Sequence, residues 1–135
     1  MEYKLGKEQL LNIMVEWNRF LKRRVHLIAC GGTAMTLLGV KPSTKDIDYM
    51  IPNAKEYAYL IKLLSALGYK QTTGSGWKRD KEIFRFDLFC GNHIHTTELL
   101  NSPLEDARNS VLKEYSHLYI GILNDYYLIF SKYMR

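Results

Sequence analysis

The sequence predicts an α+β fold, close to α/β, in which a mixed β-sheet is flanked by helices. Three observations lead to this class. Segments with helical spacing of apolar residues alternate along the chain with short apolar segments typical of strands. Residues 53–67 carry helix start and stop signals, and residues 46–51 alternate as a strand does. The predicted order of elements is α, β, α, β, α, β, β, α, β, α.

The first three elements lead to a pair of glycines. Residues 7–22 place apolar side chains at steps of three and four, which predicts an amphipathic helix with the stripe Leu10, Ile13, Met14, Trp17 and Leu21. "VHLIAC", residues 25–30, is a continuous apolar run and predicts a short buried strand that ends at Gly31-Gly32. "TAMTLLG", residues 33–39, predicts a short helix ending at Gly39.

The next two elements are a strand and a helix. "DIDYMI", residues 46–51, predicts the second strand, which Pro52 closes. Residues 53–67 begin with Asn53 as a capping residue, carry Glu56 in the first turn and end before Gly68. These signals predict a complete helix.

The C-terminal half is predicted with fewer signals. Ser102 followed by Pro103 is typical of a helix start, since the missing N–H of proline costs nothing in the first turn. The predicted elements are a strand in 68–72, a turn in 73–81, a strand in 82–90, a helix in 102–115, a strand in 116–123 and a final helix in 124–135.

Composition bounds the class of protein. A chain of 135 residues with 47% hydrophobic residues predicts one domain spanning 1–135. The net charge of +5 is compatible with anionic partners such as nucleotides or RNA but does not require them. The N-terminus lacks a secretion signal and no run is long enough to span a membrane, so we expect a cytoplasmic protein. Cys30 and Cys90 are predicted to be reduced.

Three aspartates are predicted to converge. Because side chains alternate along a strand, Asp46 and Asp48 share one face, opposite Ile47 and Tyr49. In "IFRFDLF" the same rule places Asp87 opposite the apolar row. If the two strands are neighbours, three carboxylates meet, and such a cluster needs a cation to offset its repulsion. Oxygen-rich acidic sites are typical of Mg²⁺, with Mn²⁺ as the alternative.

The paired glycines supply a complementary feature. A backbone without Cβ atoms at Gly31 and Gly32 lets a phosphate chain approach closely, and N–H groups at the start of the following helix are aimed at an anion. Thr33 adds a hydroxyl donor. Gly31-Gly32 can equally be only a tight strand-to-helix turn.

The run "GGTAMTLLGVKPSTKDIDYMI" resembles the signature of the DNA polymerase β-like nucleotidyltransferase superfamily. That signature combines an apolar strand, Gly-Gly or Gly-Ser, a short helix, Asp-apolar-Asp and a later third Asp, here in "RFDLF". Thirteen residues separate Gly32 from Asp46. More narrowly, "GGTA", "LLG" and "STKDIDY" are similar to nucleotidyltransferase-like proteins related to the toxin of abortive-infection type IV toxin-antitoxin systems. The resemblance implies a minimal nucleotidyltransferase fold.

The resemblance also implies an activity and its residues. A nucleoside monophosphate would pass from an NTP to an acceptor hydroxyl of RNA or tRNA, a protein or a small molecule, with release of pyrophosphate. Asp46, Asp48 and Asp87 would be catalytic and hold Mg²⁺ or Mn²⁺. The NTP phosphates would be held by Gly31, Gly32, Thr33, Thr44, Lys45 and Lys132.

One departure from the family concerns the C-terminus. Relatives continue past the final helix into an Asp-containing stretch and further helices, whereas this sequence stops at Arg135. The missing extension leads to the expectation that a protein partner, or a second copy in a homodimer, covers the apolar final helix. It also leaves open a catalytically inactive relative that binds a nucleotide or a protein.

Other interpretations of single residues stay open. Asp46 and Asp48 can be the exposed edge of an ordinary strand, and Asp87 can pair with Arg85 or Lys81. Lys132 can be a solvated helix residue. His93 and His95 share a predicted face, but no third metal ligand has a convincing spacing, which favours a polar loop or edge strand.

Overall fold

The computed structural model confirms an α+β fold built on a mixed sheet. It describes residues 5–44, 46–72, 74–82, 84–94, 97–99, 102–105 and 108–124. Within these ranges the helices are α1 (Lys7–Phe20), α2 (Gly31–Leu37) and α3 (Ala54–Ala66). No helix in this part of the chain is long and apolar enough to cross a membrane.

Eleven strands are described. Four are two residues long and form two small antiparallel ladders, β1 (Leu5–Gly6) with β3 (Ser43–Thr44) and β8 (His93–Ile94) with β9 (Thr97–Glu98). The other seven strands form the main sheet: β2 (Val25–Ala29), β4 (Asp46–Ile51), β5 (Tyr69–Gln71), β6 (Gly76–Arg79), β7 (Arg85–Cys90), β10 (Asn109–Glu114) and β11 (Leu118–Leu123).

The order of the main sheet is β10-β11-β2-β4-β7-β6-β5. The pairs β11–β2 and β4–β7 are parallel, and the other neighbouring pairs are antiparallel. The two strands that carry the aspartates, β4 and β7, are therefore direct neighbours in the middle of the sheet.

Helices α1 and α3 form where the sequence predicts them. The buried residues of α1 are Leu10, Met14 and Trp17, and Trp17 packs against Phe86 of β7 at a ring distance of 4.8 Å. The Asn53 side chain accepts hydrogen bonds from the backbone N–H groups of Lys55 and Glu56, at 2.9 and 3.0 Å. This bonding confirms the predicted cap of α3.

Two predicted elements are wrong. The helix in 102–115 is replaced by a turn and the edge strand β10, which pairs with β11. The Ser102 hydroxyl accepts a hydrogen bond from the backbone N–H of Leu104 at 3.2 Å, so the local capping bond is present although Asn109–Glu114 pairs as a strand. The turn in 73–81 contains β6, because β6 completes the sheet between β7 and β5. The predicted final helix, 124–135, lies outside the described residues from 125 onward.

The cysteines agree with expectation, since neither Cys30 nor Cys90 forms a disulfide among the described residues. Cys30 is buried between β2 and α2, and Cys90 is partly buried at the end of β7.

Candidate functional site

The aspartates of β4 and β7 are brought together by strand register. In this parallel pair Asp48 lies opposite Asp87, and Asp46 lies opposite Arg85. Residues paired across a parallel ladder project to the same face, and neighbouring strands lie about 4.8 Å apart. Asp48 and Asp87 are 1% and 5% exposed, whereas Asp46, the first residue of β4, is partly exposed. Two acidic residues are thus buried side by side inside the sheet.

The carboxylate of Asp87 is held by two neighbours. Its Oδ1 accepts a hydrogen bond from the Ser75 hydroxyl at 3.1 Å, and its Oδ2 lies 3.4 Å from Nη2 of Arg85. Ser75 directly precedes β6, where Gly76 pairs with Asp87. The Arg85 guanidinium offsets part of the repulsion that two adjacent carboxylates create.

The glycine pair begins α2 immediately after β2. Gly31 has φ = 60°, in the left-handed region that a residue with a Cβ rarely adopts, so the reversal from strand to helix favours glycine at this position. Gly31 and Gly32 are both buried. The predicted strand-glycine-helix connection is therefore present.

Thr33 connects this turn to β4. Strands β2 and β4 pair only through Ile28 with Met50 and Ala29 with Tyr49, so β2 does not reach Asp48. The Thr33 hydroxyl accepts a hydrogen bond from the Asp48 N–H at 2.7 Å and lies 3.4 Å from the Asp46 carbonyl oxygen, to which it donates. One side chain thus replaces the missing ladder bonds beside the carboxylates.

The hydroxyl of Thr44 also binds this edge of β4. It donates to the Asp46 carbonyl oxygen at 2.9 Å, and Thr44 is 4% exposed. Both threonines that the sequence suggests for phosphate binding therefore use their hydroxyl groups to hold β4 in this structure.

The structure brings together most of the predicted site residues. Thr33 and Thr44 bond to the backbone of β4 at Asp46 and Asp48, Gly31 and Gly32 begin the helix that carries Thr33, and Asp87 lies on the neighbouring strand β7. Lys45 and Lys132 lie outside the described residues, as does His95.

The aspartates do not all form one ligand group. Among the described residues, no three His, Cys, Asp or Glu side chains form a group that could hold a metal ion. The preassembled triad that strand alternation suggested is therefore not gathered in this conformation. The adjacent pair formed by Asp48 and Asp87 is what the register provides.

Sequence reasoning missed Ser75 and Gly76 as neighbours of the site, because "TGSGWKRDK" reads as a polar turn. The available signal is Trp77, an apolar residue inside that segment, which is buried in β6 and pairs with Phe86. Arg85 needed no tertiary information, since it lies two residues from Asp87 on one face of the same strand.

Comparisons with models of protein families, with curated proteins and with solved structures find no match to this chain. What can be said of its function therefore depends on the residues of the site.

Proposed function

We propose that the chain is a nucleotidyltransferase that depends on Mg²⁺ or Mn²⁺. The observation that carries the proposal is the register of Asp48 with Asp87, two buried carboxylates on neighbouring parallel strands. Burying an adjacent pair of acids costs free energy, and such a cost is typical of sites that bind a cation. The resemblance of "GGTA" and "KDIDY" to nucleotidyltransferases supports the metal site of such an enzyme.

The donor set fits Mg²⁺. This ion is bound in proteins by one or two carboxylates together with waters and substrate phosphates, so an adjacent pair of aspartates is sufficient. Asp48 and Asp87 would hold it, and Asp46, two residues before Asp48 on the same face of β4, would complete the site. When bound, the ion would neutralise the charge that develops on the transferred phosphoryl group.

The chain's own residues would position and deprotonate the substrates. The backbone at Gly31-Gly32, which precedes Thr33 at the start of α2, would hold the NTP phosphates. The acceptor hydroxyl oxygen forms a bond to the α-phosphorus, and its proton passes to Asp87. The bond from the α-phosphorus to the oxygen that bridges to the β-phosphorus breaks, and pyrophosphate leaves with that electron pair.

The acceptor is RNA, a protein side chain or a small molecule, and the activity would suit a toxin-antitoxin component of the cytoplasm. The excess of basic residues is compatible with RNA or tRNA as the acceptor. We also propose a protein partner or homodimer contact at residues 124–135, on their aromatic and apolar sequence alone, since the structure describes none of them beyond residue 124.

The test is transfer of label from each α-³²P-labelled NTP with Mg²⁺ or Mn²⁺, together with release of pyrophosphate. We expect both signals from the wild type and from Asp80→Asn, an exposed aspartate that serves as the control. Asp48→Asn and Asp87→Asn should each lose them. Equal signals from Asp48→Asn and Asp80→Asn would refute the proposal.

The second candidate is a catalytically inactive module that binds a nucleotide through the same cleft. One observation favours it: both oxygens of Asp87 and the hydroxyls of Thr33 and Thr44 already have partners within the protein. It predicts binding of an NTP with Mn²⁺, measured by calorimetry, without pyrophosphate release in any acceptor screen.

A further inference from the structure

The Arg85 side chain reaches Asp87 by crossing over Gly76. A Cβ atom at Gly76 would lie 2.7 Å from Cδ and 3.1 Å from Nε of Arg85, and it would also collide with the Thr72 hydroxyl. The 2.7 Å separation is too short for nonbonded atoms and the 3.1 Å separation is tight, so a side chain at this position would push Arg85 aside. The missing Cβ is therefore what lets the guanidinium lie 3.4 Å from Asp87.

Arg85 also occupies a central place among the acids. It lies opposite Asp46 in the β4–β7 ladder, and it is two residues from Asp87 on the same face of β7. The Arg85 side chain is 44% exposed, and the Asp87 side chain is 7% exposed. Water partly screens a guanidinium with this exposure, whereas the carboxylate that it contacts is buried.

We propose that Arg85 is a built-in counter-cation that lowers the affinity of the Asp48–Asp87 pair for a divalent ion, and that Gly76 keeps it there. The inference rests on the proposed function, because it concerns how the same site is filled. A guanidinium and a divalent ion attract the same carboxylates and repel each other. The metal alone therefore binds weakly.

The consequence is a site that fills only with its nucleotide. The phosphates of an NTP bring negative charge that balances both the metal and Arg85, so metal and nucleotide bind with positive coupling. By linkage, each raises the affinity of the other by the same factor. Arg85 thus acts through Asp87 as a positioning residue and restrains binding of free metal.

The experiment is a titration of the folded protein with Mn²⁺, followed by electron paramagnetic resonance, with and without an α,β-methylene NTP. One unit charge a few ångströms away corresponds to roughly a threefold to tenfold change in affinity. We expect Arg85→Gln to bind Mn²⁺ alone tighter by that factor and to show less coupling to the nucleotide. Arg85→Lys should stay near the wild type.

Two further variants sharpen the result. Gly76→Ala keeps the charge of Arg85 but displaces it, and should also tighten binding of Mn²⁺ alone. Arg23→Gln removes an equal charge from the loop before β2, at the opposite end of that strand from Gly31, and should change nothing. Circular dichroism checks that each variant is folded.

The outcomes separate the two proposals. If Arg85→Gln binds Mn²⁺ no tighter than the wild type while Asp87→Asn loses binding, the counter-cation role is overturned and the metal site stands. If neither the wild type nor any variant binds Mn²⁺, with or without nucleotide, both proposals are overturned.

Discussion

The Thr33 hydroxyl accepts a hydrogen bond of 2.7 Å from the backbone N–H of Asp48. It takes the position of a strand partner at the point where β2 has already turned into α2. The bond holds the Asp48 backbone against the start of α2, on the side of β4 away from its ladder pairing with Asp87. A side chain of the glycine turn therefore supports the geometry of the carboxylate pair.

Thr33→Val should destabilise the protein by about 1–3 kcal/mol, because it leaves the buried N–H of Asp48 without this acceptor. Thr36→Val is the matched control, since the buried Thr36 hydroxyl has no hydrogen-bond partner among the described residues. We expect the control to be neutral or slightly stabilising in urea unfolding. Equal losses for the two valine variants would contradict the bridging role of Thr33.

Arg79→Lys should cost about 1–2 kcal/mol, because lysine cannot reproduce the fork that Arg79 presents. The guanidinium donates to both carboxylate oxygens of Glu16, at 3.0 and 2.9 Å, and to Glu82 at 2.9 Å. Arg24→Lys is the control, because its ion pair with Glu114 is exposed and should be worth less than about 0.5 kcal/mol. Thermal unfolding of both variants gives the comparison.

The stability that the Glu16–Arg79 interaction contributes should decrease at acid pH. The hydrogen bond from Arg79 holds the pKa of Glu16 below its usual value of 4.5. A lowered pKa in the folded state stabilises the protein above the usual pKa, and this contribution is lost as the pH falls through the lowered value. The stability difference between the wild type and Glu16→Gln should therefore be constant from pH 7 to 6 and shrink below about pH 4. A difference that does not change down to pH 3 would rule the linkage out.

Ionisation of Tyr69 should lower the stability of the protein at alkaline pH. Burial raises the pKa of Tyr69 to about 12, although the hydrogen bond from Trp17 lowers it. The unfolded chain ionises first, so stability is lost between about pH 10 and 12. The Tyr69→Phe variant should lose less stability than the wild type between these pH values. At pH 7 the substitution should lower the free energy of unfolding by about 1 kcal/mol, because the Trp17 N–H loses its acceptor. Burial also raises the pKa of Tyr49, so part of the alkaline loss should remain.

Asp48→Asn should stabilise the protein in the absence of metal, since it removes the repulsion between two buried neighbours. We expect a rise in Tm of about 3 °C in EDTA, against no change for the exposed control Asp80→Asn. In the presence of an α,β-methylene NTP, added Mn²⁺ should raise the Tm of the wild type and leave that of Asp48→Asn unchanged. A lower Tm for Asp48→Asn in EDTA would mean that its charge is structural.

Local chemistry was enough to predict several elements. Asn53 and Gly68 bracket α3 because capping and termination depend on residues within one turn of the helix end. Alternation along β4 correctly placed Asp46 and Asp48 on one face, since side-chain direction in a strand is a property of the backbone. The proximity of Arg85 to Asp87 follows from the same rule.

Nonlocal pairing explains what was missed. Asn109–Glu114 forms the strand β10 instead of a helix, because its hydrogen-bond partners lie in β11, beyond an intervening turn. Ser75 and Gly76 looked like parts of a turn until β6 paired with β7. In both cases the local preference for a helix start or a turn is smaller than the stabilisation that strand pairing provides.

By itself the sequence determined the α+β class, the glycine turn before a short helix and the acids on one face of each of two strands. Only the tertiary structure decided that β4 and β7 are parallel neighbours with Asp48 opposite Asp87, that Thr33 bonds to β4, and that Arg85 passes over Gly76. The physical reason is the separation along the chain over which each effect acts. Side-chain alternation and capping act within a few residues, whereas register and the route of a side chain depend on strands that meet only when the sheet assembles.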